Sequence, residues 1–126
     1  MPLAIVTRDP ALISDKVARR LGPIIQTAVA DALDVVDDQN ARLNPNEVEV
    51  RFRDIGPLDV NASPFSVDVF ANDYPGRRKN LQQRTEMIAQ ALKVDAELFE
   101  GSLPLSVFGN TCFVWIILGP AGFVLL

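Results

Sequence analysis

An internal repeat is the feature that most restricts the fold of this 126-residue chain. Each half contains, in order, a proline, a short apolar strand, a turn, an amphipathic helix, a loop, a second strand and a Gly-Pro pair. Pro2 lies 54 positions before Gly56, and Pro64 lies 55 positions before Gly119, so the two spacings agree closely. The shared order and the two spacings together favour a duplication.

The duplication predicts one α+β domain that spans residues 1–126, with pseudo-repeats at about 2–60 and 64–124. Because strand–helix–strand crossovers are right-handed, the two strands of each β-α-β unit should run parallel. Two such units that pair edge to edge give a four-stranded sheet with two helices on one face. Alternation and β-branched content predict the strands at Leu3–Val6, Glu47–Ile55, Phe65–Ala71 and Thr111–Leu118.

The two helices follow from apolar spacing and end signals. Apolar residues recur every three or four positions from Ile13 to Ala32, which is typical of one buried helix face. Ser14 suits the N-cap position of this helix. Gly22-Pro23 interrupts the pattern, and we expect a kink there or a helix that begins again at Pro23. The second helix is expected from about Arg77 to Lys93.

Composition excludes several classes of protein. The net charge of −4 and the pI near 4.7 argue against a nucleic-acid-binding surface. The chain has no histidine, so the His-dependent catalytic triads and most zinc sites are excluded, and no metal site is expected. With Cys112 as its single cysteine, the chain has no disulfide framework. Acid–base chemistry must therefore use carboxylates, lysines, Tyr74, Cys112 or the N-terminal amine.

The two ends of the chain bear on its compartment. Arg8 and Asp9 follow only a short apolar run, so a signal peptide is not indicated, and we expect a cytoplasmic protein. The uncharged stretch Gly101–Leu126 raises the possibility of a membrane anchor, but Gly119-Pro120 in its most apolar part argues against a spanning helix. We therefore expect no membrane partner, and a tail, Phe123–Leu126, that is buried against another subunit.

Pro2 is the candidate acid–base residue. A small residue at position 2 favours removal of Met1, and Pro2 would then carry a free secondary amine. A strand that starts at Leu3 would hold this amine rigidly at a sheet end. The alternative is that Pro2 is only a tolerated second residue, because a Met-Pro start alone is weak evidence.

Two arginines of the second strand are candidates for binding a substrate. Arg51 and Arg53 alternate with Val50 and Phe52, so both lie on one strand face. A nearby guanidinium would lower the pKa of the Pro2 amine, and it could bind a substrate carboxylate through two hydrogen bonds. The alternative is a solvated strand face whose charge Glu49 balances.

Two further candidates lie at the start of the second helix. Arg77-Arg78-Lys79 places positive charge at a helix N-terminus, against the helix dipole, which suggests contact with an anion or a partner. Tyr74, the only tyrosine, precedes this helix and could donate a proton. The alternatives are a solvated helix start and a tyrosine that packs on the surface.

The Met1-Pro2 start before a strand, the duplicated β-α-β order and the length resemble the tautomerase superfamily. This superfamily includes 4-oxalocrotonate tautomerase, 5-carboxymethyl-2-hydroxymuconate isomerase, malonate semialdehyde decarboxylase and macrophage migration inhibitory factor. Family arginines occur on the second strand, where Arg51 and Arg53 stand here. Short members carry an arginine near position 12, where this chain has Leu12, and Arg8 is nearby but out of register.

The resemblance implies a homotrimeric tautomerase or isomerase without a cofactor. Pro2 would act as the acid–base group on a small 2-oxo or enol carboxylic acid. Two alternatives remain open. The first is a decarboxylase or hydratase of 3-oxo acids, with protonated Pro2 as the acid. The second, which Leu12 supports, is a non-catalytic trimeric assembly or binding protein of the same fold.

Overall fold

The computed structural model describes residues 2–98 and 113–119. One sheet contains the strands β1 (Leu3–Arg8), β2 (Glu49–Asp54), β3 (Phe65–Asn72) and β4 (Val114–Gly119). The α-helices in these ranges are α1 (Asp15–Leu33), α2 (Pro75–Arg78) and α3 (Leu81–Leu98). Two short 3-10 turns, Gln39–Ala41 and Pro45–Glu47, lie between α1 and β2.

The strand order is β2-β1-β3-β4. β1 pairs parallel with β2, β3 pairs parallel with β4, and the two central strands β1 and β3 pair antiparallel. The predicted α+β fold, with two β-α-β units in one mixed sheet, is confirmed. The boundaries of the two pseudo-repeats stay a prediction.

Both long helices cover the same face of the sheet. Val6 and Val67 on that face form one buried cluster with Leu21 and Ile25 of α1 and with Ile88 of α3. Each of these side chains is fully buried, which stabilises the fold by about 1.5–3 kcal/mol per large apolar residue. The strand residues between them point to the opposite face, which no described helix covers.

Helix α1 begins as the sequence predicts and then differs from it. The Ser14 Oγ accepts a hydrogen bond from the backbone N–H of Val17 at 3.3 Å, which confirms the N-cap. The expectation of a new helix start at Pro23 is wrong, because α1 continues from Asp15 to Leu33 with Pro23 inside it. Proline removes one backbone donor, and the fully buried Leu21 and Ile25 hold the helix together on either side.

The second predicted helix, Arg77–Lys93, is divided into α2 and α3. Helix α2 begins at Pro75, a residue type favoured in the first turn because its nitrogen needs no helical partner. Asn80, a residue type favoured at N-caps, immediately precedes α3. Two local start signals therefore lie where apolar spacing predicted one continuous helix.

The last predicted strand is found, with a later start at Val114. The predictions for Thr111, Cys112 and the tail Phe123–Leu126 fall outside the described residues. Within the described residues, none of the helices combines the length and the apolar character that crossing a membrane requires.

Candidate active site

Pro2 is buried directly before β1. Its carbonyl oxygen accepts a hydrogen bond from the backbone N–H of Glu49 at 3.0 Å, which extends the parallel pairing of β1 with β2 by one residue. The edge of the sheet thus fixes the position of Pro2, as the strand prediction requires.

Pro2 lines a cavity of about 100 Å³. A cavity of about 150 Å³ accommodates benzene, so this one suits an acid of three or four carbon atoms. Its walls come from the start of β1, the loop between α1 and β2, the end of β3 and the start of α2. The lining residues are Pro2, Asn40, Arg42, Leu43, Glu47, Asn72, Tyr74 and Arg77.

A larger groove of about 850 Å³ lies between α1 and α3, and its lining includes Asp31, Met87 and Lys93. It contains none of the predicted site residues. Its charged lining residues Asp31, Glu86 and Lys93 are all exposed to solvent. The smaller cavity also has exposed charged residues, Arg42 and Glu47, but it holds a buried arginine. Small size and a desolvated charge suit chemistry on a small molecule better than a wide solvent-filled groove, so we place the candidate site at Pro2.

Arg77 supplies the buried charge, and its side chain is only 3% exposed. Its Nε, Nη1 and Nη2 donate to the carbonyl oxygens of Leu33, Asn72 and Ala41 at 2.9, 3.2 and 3.4 Å. A guanidinium has five N–H donors, so two have no partner among the described residues. Burial lowers the pKa of Arg77, and its guanidinium carbon lies 4.9 Å from the centre of the Tyr74 ring.

A second arginine, which the sequence analysis did not single out as functional, supports this arrangement. Arg84 Nη1 donates to the carbonyl oxygens of Ala32 and Asp34 at 2.6 and 3.1 Å, and Nη2 donates to that of Gly76 at 3.0 Å. Arg77 and Arg84 therefore satisfy the carbonyl groups at the C-terminus of α1, where the helix dipole favours cations. The signal was that the last turn of α1 contains no basic residue of its own.

Four polar cavity residues were also missed: Asn40, Arg42, Glu47 and Asn72. Arg42 Nε donates to Asp34 Oδ1 at 3.0 Å, so the charge of Arg42 is compensated. Glu47 Oε1 accepts from the backbone N–H of Asn44 at 3.0 Å. The parallel register was the available signal for Glu47, because residues that precede β2 lie beside those that precede β1.

Arg8 lies at the opposite end of β1, about 20 Å from Pro2 at the usual rise of a strand. Its Nε and Nη2 contact Asp54 Oδ1 and Asp15 Oδ1 at 2.8 and 2.6 Å, and Nη1 donates to the Ile13 carbonyl oxygen at 3.1 Å. The hydrogen bonds to these two carboxylates raise the pKa of Arg8. Within one chain, the structure does not bring Arg8 to Pro2.

Arg51 and Arg53 lie on the sheet face that the helices leave open, opposite Ile5 and Thr7 in the register. The two arginines share one face, as predicted, but neither lines the Pro2 cavity of its own chain. Arg51 forms an exposed ion pair with Glu49 at 2.8 Å. Burial raises the pKa of Asp68 on the same face, and the charge of Arg53 opposes this shift.

Of the predicted site residues, the structure thus brings together Pro2, Tyr74 and Arg77, and it leaves Arg8, Arg51 and Arg53 outside the cavity. Within the described residues, no group of three or more acidic or cysteine side chains is placed to hold a metal ion.

Neither a family model nor a curated protein matches the sequence. The fold is similar to that of malonate semialdehyde decarboxylase, with a TM-score of 0.58 and 12% identity over 94% of this chain and 84% of that chain. It is also similar to a macrophage migration inhibitory factor-like protein from Entamoeba histolytica, with a TM-score of 0.56 and 8% identity over 96% and 90%. Macrophage migration inhibitory factor of Toxoplasma gondii gives a TM-score of 0.53 and 17% identity over 98% and 95%.

These three proteins are members of the tautomerase superfamily. At such low identities the likeness concerns the fold, and it extends over nearly the whole of this chain. The chain therefore has the fold of the tautomerase superfamily, which confirms the resemblance found in its sequence.

Proposed function

We propose that the chain is a tautomerase or isomerase that uses the amine of processed Pro2 to move a proton on a small 2-oxo or enol carboxylic acid. The observation that carries this proposal is the cavity that Pro2 shares with Arg77. A buried base candidate and a buried cation with spare donors face the same small space, which is the combination that proton transfer next to a carboxylate needs.

The surroundings of Pro2 suit an amine that acts as a base. A reference N-terminal amine has a pKa near 8. Burial and the positive charge of Arg77 both disfavour the protonated amine and lower its pKa. The uncharged amine can then take a proton from carbon or oxygen and return it elsewhere on the same substrate. This chemistry requires that Met1 be removed.

Arg77 is the proposed carboxylate-binding group. The two N–H donors that have no partner among the described residues lie one on each terminal nitrogen, because each of these nitrogens already donates once. A substrate carboxylate placed there would gain charge-assisted hydrogen bonds, and the developing enolate would be stabilised by the same cation. Tyr74, which stacks on Arg77, is the proposed proton donor at the rim.

A second candidate function is decarboxylation or hydration of a 3-oxo acid, which the position of Glu47 favours. Its carboxylate lines the same cavity, and a negative charge there stabilises the protonated amine of Pro2. A pH profile separates the two functions. Activity that rises as the Pro2 amine deprotonates identifies a base, and activity that falls identifies an acid.

We also propose that the chain acts as a homotrimer in the cytoplasm. The open sheet face supports an assembly, because Trp115 and Ile117 on it are 47% and 38% exposed. A neighbouring subunit that covers this face is the only way in which Arg51 or Arg53 could reach a Pro2 cavity. Light scattering on the full chain tests the assembly, and a stable monomer would exclude a role for these two arginines.

The test of the proposed function starts with intact mass, which must show a chain without Met1. Enol, 2-oxo and 3-oxo acids are then screened by ultraviolet absorbance. Pro2→Ala keeps an amine but changes its basicity and rigidity, so turnover should fall about 10²–10⁴-fold. Pro64→Ala is the matched control, because Pro64 is the internal counterpart of Pro2 and has no basic nitrogen. A retained Met1, or full turnover by Pro2→Ala, would overturn the proposal.

A further inference from the structure

We infer that the Pro2 cavity selects acids with one carboxylate and a neutral second end, because Glu47 repels a second carboxylate. This inference rests on the proposed function, and it names the substrate class of the same site. It makes Glu47 a residue that determines specificity. It depends on which charged side chains of the cavity already form ion pairs and which do not.

The cavity contains three charged side chains besides the amine of Pro2. Arg42 forms an ion pair with Asp34. Arg77 donates only to neutral carbonyl groups and forms no ion pair with a described residue, although the charges of Asp34 and Asp38 act on it from a distance. Glu47 likewise forms no ion pair with any residue that the structure describes. A ligand therefore meets one free positive charge and one free negative charge.

The two free charges come from different walls of the cavity. Arg77 belongs to α2, whereas Glu47 belongs to the 3-10 turn that precedes β2. Leu3 is opposite Glu49 in the register, so Glu47 lies beside the chain start that precedes β1. The backbone N–H of Asn44 holds one of its carboxylate oxygens in place. The negative charge is therefore held at the exposed rim of the cavity that Pro2 lines.

The size of the cavity makes this charge difficult to avoid. In about 100 Å³, a three- or four-carbon acid whose carboxylate binds the buried Arg77 has its second end near the exposed rim to which Glu47 belongs. If its carboxylate binds Arg77, a second carboxylate would meet a like charge, which is the usual way in which proteins reject a competing ligand. A hydroxyl, an enol or the hydrate of an aldehyde could instead donate a hydrogen bond to Glu47.

Glu47→Gln is the matched variant, because its amide oxygen can still accept from the Asn44 N–H while the charge is lost. Glu49→Gln is the control: Glu49 is two residues away, is the same residue type, and pairs with Arg51 on the open face. The probes are lactate and tartronate (hydroxymalonate), in which a carboxylate replaces the methyl group of lactate. Neither needs to be turned over.

The readout is protection of the Pro2 amine against alkylation by 3-bromopyruvate, followed by mass spectrometry. In the unaltered chain, lactate should protect at a concentration about two- to fivefold below that of tartronate, because the repelling carboxylate of Glu47 is exposed and solvent weakens the repulsion. Glu47→Gln should bring the two concentrations close to equality, and Glu49→Gln should leave the ratio unchanged. Equal protection in the unaltered chain, or a ratio that Glu47→Gln does not change, would overturn the inference.

The same acids are also titrated against ¹⁵N-labelled protein, and binding is followed through the backbone amide signals of Glu47 and Arg77. This measurement works even if Met1 is retained and the amine is blocked. If no acid is turned over but the ratio still depends on Glu47, the charge rule stands and the catalytic proposal fails. If turnover is found but the ratio does not depend on Glu47, the catalytic proposal stands and the charge rule fails.

Discussion

The two ends of strand β1 handle charge in opposite ways. At its C-terminal end, Arg8 contacts the carboxylates of Asp15 and Asp54, so one cation faces two anions. At its N-terminal end, beside Pro2, the buried guanidinium of Arg77 donates to three carbonyl oxygens, stacks on Tyr74 and forms no ion pair with a described residue. At the first end, which we call the closed end of β1, the carboxylates of Asp15 and Asp54 neutralise Arg8. At the second end, Arg77 keeps N–H donors available for a ligand.

This difference shows which arginine can act in chemistry. Arg8 follows the first strand and looks like a site residue from sequence, but its three hydrogen-bonded contacts join β1, β2 and the start of α1. Arg77 has a structural role too, since it satisfies the end of α1. It nevertheless retains two N–H groups that three carbonyl partners cannot use. A buried cation with spare donors costs free energy that a bound anion would recover.

Substituting each arginine in turn tests most directly whether Arg77 binds a ligand and Arg8 does not. Arg77→Met removes the side-chain donor to the carbonyl groups of Leu33, Asn72 and Ala41, while the Ala41 carbonyl still accepts from the Val35 N–H, so the free energy of unfolding should fall by about 2–3 kcal/mol. Binding of lactate should weaken about 10–100-fold with the loss of a charge-assisted pair. Urea unfolding and the alkylation-protection assay measure the two effects.

Arg8→Met is the matched control for this substitution. It should lower stability less, because Asp15 and Asp54 are well exposed, with side chains 71% and 52% exposed. It should leave acid binding unchanged. Arg77→Lys keeps the positive charge but lacks the planar guanidinium group. It replaces Arg77→Met in the binding assay if that variant does not fold. Unaltered lactate binding by either Arg77 variant would remove Arg77 from the site.

The fold could be predicted because its signals are local. Alternation of Val48, Val50 and Phe52 with charged residues gives the phase of β2, and Gly-Pro pairs mark where strands end. The position of a side chain along the sheet depends instead on how distant strands pair. The alternation in β2 predicted correctly that Arg51 and Arg53 share a face. Only the pairing with β1 shows that they lie opposite Ile5 and Thr7, beyond the reach of Pro2.

The partners of Pro2 were harder to predict for the same reason. Asn40 and Arg42 lie in a loop without periodicity, so nothing in their spacing indicated a shared cavity. Glu47 was predicted as the first residue of the second strand, whereas it ends the 3-10 turn before β2. Arg77 was singled out because positive charge opposes the dipole at a helix start. In the structure its charge serves the end of a different helix, α1, through the carbonyl oxygen of Leu33. Long-range contacts of this kind are invisible in a single sequence.

The second prediction concerns Gly76, the backbone neighbour of Arg77. A Cβ added at Gly76 would lie 2.6 Å from Val35 Cγ1, and a β-branched side chain has little freedom to move away. Gly76→Ala should therefore lower the free energy of unfolding by about 1–3 kcal/mol through overpacking. It should also weaken lactate binding, because the residue next to Arg77 must shift.

A second substitution and a control sharpen this prediction. Val35→Ala removes the clashing methyl groups, so the double variant should recover part of the loss and show clear coupling in a double-mutant cycle. Gly22→Ala is the control, because its nearest neighbour, a Phe52 ring atom, would be at 4.0 Å. In the interior of α1 that substitution should stabilise the chain by about 0.5–1 kcal/mol. Equal effects of the two glycine substitutions would contradict the close approach.

The smallest expected effect tests the closed end of β1 through its pH dependence. Arg8 lowers the pKa of Asp15 below its ordinary value of 3.8, mainly through their hydrogen bond. Because the folded-state pKa is depressed, the stabilisation is present above the unfolded-state pKa, and it is lost as the pH falls through the folded-state pKa. Asp15→Asn should thus lower the melting temperature by only about 1–3 °C at pH 7, since the Asp15 carboxylate is exposed to solvent.

The difference between Asp15→Asn and the unaltered chain should shrink as the pH falls below the ordinary Asp pKa and through the lowered folded-state pKa of Asp15. It should also shrink in 1 M salt, because exposed charges are screened there. Thermal unfolding at a series of pH values measures this directly. Acid binding at the Pro2 end should not change in this variant at any pH, since the two ends of β1 share no charged partner. A lactate affinity that followed the ionisation of Asp15 would show instead that the two ends are coupled.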